Sequence, residues 1–135
     1  MTAWYLDSSA IVKFAVEEVE SAALARWRAA LPDDVSLVTC ELSVTEVLRA
    51  VGRVGGDLDV AMAHLDALGQ VVVDRELLLA AAQLQPPTFR SLDAIHLAAA
   101  AAFGSDLAGL VTYDDRMAGA ARGLGLAPMA PGTEP

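Results

Sequence analysis

The sequence is short of three things: cysteine, positive charge and long apolar runs. Its 135 residues include one cysteine, Cys40, so no disulfide can form within the chain. No apolar run approaches the roughly 20 residues that a membrane-spanning helix needs, and the N-terminus has no basic segment followed by an apolar one. We therefore expect a cytoplasmic protein without a membrane partner.

Positive charge is scarce because nine Lys and Arg residues stand against 18 Asp and Glu residues, which gives a net charge of −9. Proteins that bind nucleic acids are usually basic, since contacts to phosphate dominate their affinity. The net charge alone therefore argues against such a protein. A divalent metal site would change this conclusion, because bound cations offset several carboxylates locally.

Apolar residues make up 55% of the chain, and short apolar segments alternate with helical ones. The predicted strands are 3–7, 35–39, 71–74 and 110–113. The predicted helices are 8–16, 17–31, 41–54, 58–68, 76–84, 91–103 and 115–124. Continuous apolar strands between helices are typical of a parallel sheet covered on both faces. The pattern predicts one three-layer α/β/α domain over residues 1–127, with a central, mostly parallel sheet of four to five strands, and a loose C-terminal tail over residues 128–135.

Four acidic residues stand out because each lies in an apolar setting: Asp7, Glu46, Asp93 and Asp114. Asp7 and Asp114 follow apolar strands, whereas Glu46 and Asp93 lie within apolar helices. Burying an unpaired carboxylate is costly, so a divalent metal ion is the natural partner in a chain with few cations. Ligands of open α/β sheets bind beyond the carboxyl ends of the strands, where the strand order reverses. If the first and fourth predicted strands are neighbours, Asp7 and Asp114 meet there.

Each of these acids also has an ordinary structural explanation. Asp7 and Asp114 are suited to capping the helices that follow them. Asp93 lies in the first turn of its helix, where the helix dipole favours a carboxylate. Glu46 can pair with an arginine on the same helical face, a contact worth roughly 0.2–0.5 kcal/mol. The metal site is favoured by the four acids together and not by any one of them.

Four segments resemble, in order and across nearly the whole chain, the motifs of PIN-domain nucleases. They are residues 6–13 (LDSSAIVK), 43–50 (SVTEVLRA), 92–98 (LDAIHLA) and 111–117 (VTYDDRM). The third segment is quite specific to that family. Within the family, the chain most resembles the VapC-type toxins of prokaryotic toxin–antitoxin modules.

This resemblance implies a Mg²⁺- or Mn²⁺-dependent endoribonuclease that hydrolyses RNA phosphodiester bonds and is inhibited by a cognate antitoxin. It implies that Asp7, Asp93 and Asp114 hold one or two ions, and that Glu46 binds a second ion or orients the attacking water. Asp115, next to Asp114, is an alternative fourth ligand. Carboxylate oxygens suit Mg²⁺ and Mn²⁺ equally well, so the ligand types do not separate the two metals.

Several polar neighbours complete the predicted site. Ser9 and Thr112 are expected to position carboxylates or waters, and Lys13, Arg90 and Arg116 are expected to contact RNA phosphates. Two further residues are predicted to be structural. His96 is expected to be half-buried with one satisfied ring nitrogen, and Cys40 to be a small buried thiol.

The resemblance also implies a homodimer and a groove that holds a segment of the antitoxin. That groove would be formed by the predicted helices 8–16, 17–31 and 41–54. Trp27 is a candidate anchor there, because aromatic residues often carry interface energy; simple core packing is the alternative. The RNA target stays open, since it depends on surface shape.

Three other functions fit the α/β pattern less well. A phosphoacceptor receiver needs an acidic pair after its first strand and a lysine after a late strand, but no lysine follows Lys13. A haloacid-dehalogenase-like phosphatase needs an Asp-x-Asp start, but position 9 is serine. A nuclease-inactive PIN-like binding module is disfavoured because all four acids are present.

Overall fold

The structure, a computed structural model, describes residues 1–133, in which seven α-helices surround a five-stranded sheet. The strands are β1 (Thr2–Leu6), β2 (Val35–Cys40), β3 (Gly69–Val71), β4 (Leu107–Val111) and β5 (Pro128–Met129). The helices are α1 (Ser8–Ala15), α2 (Ser21–Ala29), α3 (Leu42–Arg53), α4 (Leu58–Asp66), α5 (Arg75–Ala82), α6 (Ser91–Ala101) and α7 (Asp115–Gly123). No helix within residues 1–133 is long and apolar enough to cross a membrane.

The sheet has the order β3-β2-β1-β4-β5, and every neighbouring pair is parallel. The chain first runs outward from β1 to β3 and then returns past β1 to β4 and β5. Because crossovers between parallel strands are right-handed, the two directions place their helices on opposite faces. Helices α1–α4 cover one face and α5–α7 the other. The predicted three-layer α/β/α fold is confirmed, and the strand order reverses between β1 and β4.

The central strands feed two separate cores, because successive side chains of a strand point to opposite faces. Tyr5 and Leu110 belong to the core under α5–α7, whereas Leu6 and Val111 belong to the core under α1–α4. All four side chains are fully buried. Residues just beyond the ends of β1 and β4 are therefore held by packing on both faces of the sheet.

The last strand differs from the sequence prediction. Residues 128–129, expected to begin a loose tail, form β5 and pair with β4. Gly109 permits this close approach, since a Cβ there would lie 2.5 Å from the Trp4 ring and 2.6 Å from the carbonyl oxygen of Ala127. A strand of two residues that begins with proline carries no periodic pattern, so the sequence does not reveal it. Residues 134–135 of the predicted tail lie outside the described residues.

The bounds of the third and fourth strands also differ from the prediction. The fourth strand begins at Leu107 instead of residue 110 and ends before Thr112. The third strand ends at Val71, and Asp74, which was predicted to close it, instead caps α5 by accepting the backbone N–H of Leu77. Polar residues that look like strand ends in the sequence therefore belong to the links that enter the next helix.

Candidate active site

The four predicted acids line one cleft of about 310 Å³ at the carboxyl ends of β1 and β4. Asp7 directly follows β1, and Asp114 directly precedes α7. Glu46 reaches the cleft from α3 and Asp93 from α6. The cleft lies where the strand order reverses, which is the position that ligands take in open α/β sheets.

Asp7 is the one buried member of the four, with 3% of its surface exposed. Its Oδ1 accepts hydrogen bonds from Ser9 Oγ at 2.6 Å and from the Ala10 backbone N–H at 3.2 Å. Its Oδ2 accepts a hydrogen bond from Thr112 Oγ1 at 2.5 Å. Burial raises the pKa of Asp7, and the hydrogen bonds from Ser9 and Thr112 oppose that rise. The bond from Ala10 also caps α1, so Asp7 serves the helix and the cleft at once.

Thr112 joins Asp7 to Asp114. Its Oγ1 donates to Asp7 and accepts the backbone N–H of Asp114 at 3.1 Å. Asp114 Oδ1 in turn caps α7 by accepting the backbone N–H groups of Arg116 at 2.9 Å and Met117 at 3.2 Å. One hydroxyl therefore links the ends of the two central strands.

Asp115 lies away from the cleft. It is exposed and lines a separate groove with Trp27 and Tyr113. Of the two adjacent aspartates, the structure places Asp114 with the other three acids. Trp27 itself is half-buried and packs edge-on against Trp4, with ring centroids 5.2 Å apart, so it contributes to the core and also borders the groove.

Arg116 binds two of the acids. Its Nε lies 3.1 Å from Asp93 Oδ2, and its Nη2 lies 3.6 Å from Asp114 Oδ2. The Arg116 side chain is half-exposed, so its guanidinium has room to rotate toward solvent. Arg90, another predicted RNA contact, also lines the cleft.

The structure does not bring Lys13 together with these residues. Its Nζ binds Glu20 at 2.8 Å and Glu18 at 3.5 Å, and it lies 4.6 Å from the centre of the Tyr113 ring. The side chain is largely buried by these contacts. Its charge is committed between α1 and α2, which corrects the expectation of a Lys13 contact with RNA in the cleft.

A buried chain of polar groups lies behind Glu46. Glu46 Oε1 is 2.6 Å from His96 Nε2, and His96 Nδ1 is 2.7 Å from the Tyr5 hydroxyl. His96 is 2% exposed, so the prediction of a half-buried histidine with one satisfied nitrogen is wrong on both counts. Burial lowers the pKa of His96, but hydrogen bonds with Cys40 and Glu46 outweigh this effect and raise the pKa to about 10.

Sequence reasoning missed the link between Tyr5 and His96, although a signal for it is present. Tyr5 in β1 precedes Asp7 by two positions, and His96 follows Asp93 by about one turn of α6. A residue's face on a strand is readable from alternation. The face that α6 covers is not readable until the strand order is known, and the pairing depends on that face.

The donor set of the cleft suits a hard divalent cation. All four acids supply carboxylate oxygens, the ligands that Mg²⁺ and Mn²⁺ prefer. Within residues 1–133, no three His, Cys, Asp or Glu side chains are spaced to hold an ion jointly. Arg116 forms ion pairs with Asp93 and Asp114 and places its positive charge beside them. An ion held by three of the acids therefore requires the half-exposed Arg116 to rotate away and the carboxylates to move closer together.

Comparison with known proteins identifies the family of the chain. The family profile described as PIN domain matches residues 4–123. Ribonuclease VapC46 of Mycobacterium tuberculosis is 48% identical over 135 residues, which cover 97% of this chain and 99% of that protein. This similarity extends over almost the full length of both proteins.

Two solved structures share the fold. M. tuberculosis VapC20, described as a sarcin-ricin loop cleaving toxin, has a TM-score of 0.71 at 15% identity and covers 95% of this chain and 99% of its own. A toxin–antitoxin complex from Klebsiella pneumoniae has a TM-score of 0.63 at 17% identity and covers 83% of this chain and 87% of its own. The receiver, phosphatase and binding-module alternatives are not favoured. With its four acids at the reversal of strand order and its close similarity to a named ribonuclease, the chain belongs to the PIN-domain family and, within it, to the VapC ribonucleases.

Proposed function

We propose that this chain is the toxin of a type II toxin–antitoxin module and acts as a metal-dependent endoribonuclease that hydrolyses RNA phosphodiester bonds. The observation that carries the proposal is the convergence of Asp7, Glu46, Asp93 and Asp114 on one cleft. The similarity to a protein named as a ribonuclease supports it. Divalent metal ions are general among PIN-domain ribonucleases, and the carboxylate donors here favour Mg²⁺ or Mn²⁺.

Asp7, Asp93 and Asp114 are the residues that would hold the ion. When bound, such an ion acts as a Lewis acid that activates water and offsets the charge of the phosphate. Ser9 and Thr112 fix the Asp7 carboxylate through hydrogen bonds at 2.6 and 2.5 Å. Groups that orient a ligand in this way commonly matter as much as the ligand itself.

Glu46 orients the attacking water and accepts its proton. Its side chain is 26% exposed, so the carboxylate reaches the solvent of the cleft. Arg90 and Arg116 contact RNA phosphates. Because a guanidinium binds carboxylate and phosphate in the same planar geometry, Arg116 can exchange Asp93 and Asp114 for a phosphate.

Partners follow from the same proposal. The substrate is RNA, the site of action is the cytoplasm, and the inhibitor is a cognate antitoxin. Support comes from the descriptions of VapC20 as a loop-cleaving toxin and of the Klebsiella structure as a toxin–antitoxin complex. A homodimer and a role of the half-buried Trp27 as an antitoxin anchor belong to the same proposal.

Cleavage of RNA by the purified protein tests this function. We expect the wild type to cut RNA with Mg²⁺ or Mn²⁺ and to stop in EDTA. Asp7→Asn and Asp93→Asn should abolish cleavage without unfolding the protein. Asp115→Asn is the matched control, because its carboxylate lies outside the cleft, and it should cut like the wild type. Full activity in EDTA would contradict the proposal.

A further inference from the structure

We propose that His96 is a positioning residue that sets the orientation of Glu46 and is itself oriented by the hydroxyl of Tyr5. This inference rests on the proposed ribonuclease function, since it assumes that Glu46 takes part in the reaction. The three residues form one hydrogen-bonded chain that runs from the centre of the sheet to the cleft. The hydrogen-bonding distances along it are 2.7 Å from Tyr5 to His96 and 2.6 Å from His96 to Glu46.

The hydrogen-bonded chain is closed to solvent at Tyr5 and open to solvent at Glu46. Tyr5 and His96 are buried, whereas the Glu46 side chain is partly exposed in the cleft. His96 therefore does not touch RNA and acts only through Glu46. Oε1 of Glu46 is tied to the ring, and Oε2 has no hydrogen-bond partner among residues 1–133, so it is available to water in the cleft.

The hydrogen bond to the Glu46 carboxylate requires a proton on His96 Nε2. The contact between Tyr5 and the other ring nitrogen favours this position of the proton. In the neutral ring, donation by the Tyr5 hydroxyl to Nδ1 places the ring proton on Nε2. In the charged ring, both nitrogens carry protons and Nδ1 donates to the Tyr5 oxygen. The remaining tautomer, neutral with its proton on Nδ1, would set two acceptors 2.6 Å apart. Glu46 thus faces a donor in both favourable states of the ring.

Both ring nitrogens of His96 make hydrogen bonds, which distinguishes this residue from a metal-binding histidine. A metal-binding histidine needs one nitrogen free of other partners. Here Nδ1 meets Tyr5 and Nε2 meets Glu46. The arrangement instead matches that of a supporting residue, whose loss typically lowers activity about 10–100-fold.

A double-mutant cycle on the full chain tests the positioning role. His96→Leu removes the donor and replaces the ring with an apolar side chain of comparable size. We expect its kcat to fall about 10–100-fold, with an unchanged KM for RNA because His96 does not touch the substrate. The double variant His96→Leu with Glu46→Gln should be no slower than Glu46→Gln alone. The inference would be overturned if the losses of kcat in the two single variants multiplied in the double variant. A wild-type kcat in His96→Leu would overturn it as well.

A conservative variant separates the donor from the packing. His96→Gln offers an amide N–H close to the position of Nε2 and should recover most of the lost kcat. Thermal unfolding of each variant shows whether the fold is retained. Equal losses of kcat in folded His96→Leu and His96→Gln would count against a role for the donor.

Nitrogen NMR of the histidine rings tests the geometry without relying on cleavage. The chain has two histidines, so His64→Gln assigns the spectrum. We expect His96 to carry a proton on Nε2, and its Nε2 resonance to shift in Glu46→Gln. A neutral ring with a bare Nε2 would overturn the inference. A wild-type protein that shows the Nε2 proton but cuts no RNA with Mg²⁺ or Mn²⁺ would support the geometry and contradict the proposed function.

Discussion

Thr112 Oγ1 lies 2.5 Å from Asp7 Oδ2, so the residue just past β4 donates a hydrogen bond to the acid just past β1. The same oxygen accepts the backbone N–H of Asp114. One side chain therefore sets the positions of two acids that come from different strands. The geometry of the cleft depends on this contact between neighbouring strand ends.

Thr112→Val keeps the shape of the side chain and removes its hydroxyl. Asp7 and the N–H of Asp114 each lose a partner, so the free energy of unfolding should fall by about 1–3 kcal/mol. RNA cleavage should fall about 10–100-fold. Urea unfolding and a cleavage assay measure the two effects. Thr88→Val, an exposed change before α6, should alter neither quantity. An unchanged cleavage rate in Thr112→Val would contradict the prediction.

Asp7 makes the protein less stable as the pH rises. Burial raises its pKa above the unfolded value of about 3.9, so the folded state holds the proton to higher pH. The loss of folding stability caused by ionising Asp7 is absent below the unfolded pKa. It grows as the pH approaches the folded pKa and is complete above it. In EDTA, the margin by which Asp7→Asn exceeds the wild type in stability should therefore grow as the pH rises from about 4 to 7, although the amide lacks the acceptor that Thr112 uses and this lowers the margin equally at every pH. Urea unfolding across this range measures the margin, and a constant margin would refute the argument.

Arg116 competes with a metal ion for Asp93 and Asp114. Removing its charge with Arg116→Gln should tighten Mn²⁺ binding by up to about fivefold, since an exposed ion pair contributes about 0.2–1 kcal/mol. RNA cleavage should weaken at the same time, because a phosphate contact is lost. Calorimetric titration with Mn²⁺ measures the affinity. Arg122→Gln, at the far end of α7, is the control and should bind Mn²⁺ like the wild type. Weaker Mn²⁺ binding by Arg116→Gln would argue against competition.

Gly109→Ala should destabilise the sheet. The added Cβ would lie 2.5 Å from the Trp4 ring and 2.6 Å from the carbonyl oxygen of Ala127, so the strands must shift. Overpacking of this kind costs about 1–3 kcal/mol. Gly119→Ala is the matched control, because a Cβ there meets no atom within 4 Å. On the exposed face of α7 it should stabilise the protein by up to about 1 kcal/mol. Equal thermal shifts in the two variants would disprove the steric argument.

Much of the fold and the membership of the cleft could be predicted because the signals are local. Asp7 follows a continuous apolar strand, and Asp93 lies in the first turn of an alanine-rich helix, so both stand out against their neighbours. The alternation of strands and helices predicts a parallel sheet. Within such a sheet, the carboxyl ends of the strands are the expected place for a ligand.

The contacts that complete the cleft could not be predicted, because they depend on tertiary arrangement. Lys13 has a long side chain that turns to Glu20 in the link before α2, and no periodicity marks that choice. The contact between Tyr5 and His96 depends on which face of the sheet α6 covers. Arg116 binds carboxylates that come from both its own helix start and α6.

Thr112 also contacts the edge strand of the sheet, since its backbone N–H donates to the carbonyl oxygen of Met129 in β5 at 3.0 Å. The outermost strand and the buried acid Asp7 thus share one residue as their common support. Two hydrogen bonds, both made by Thr112, thus connect β5 with Asp7. Separation of β5 from β4 would therefore leave the residue that holds Asp7 with one hydrogen bond fewer.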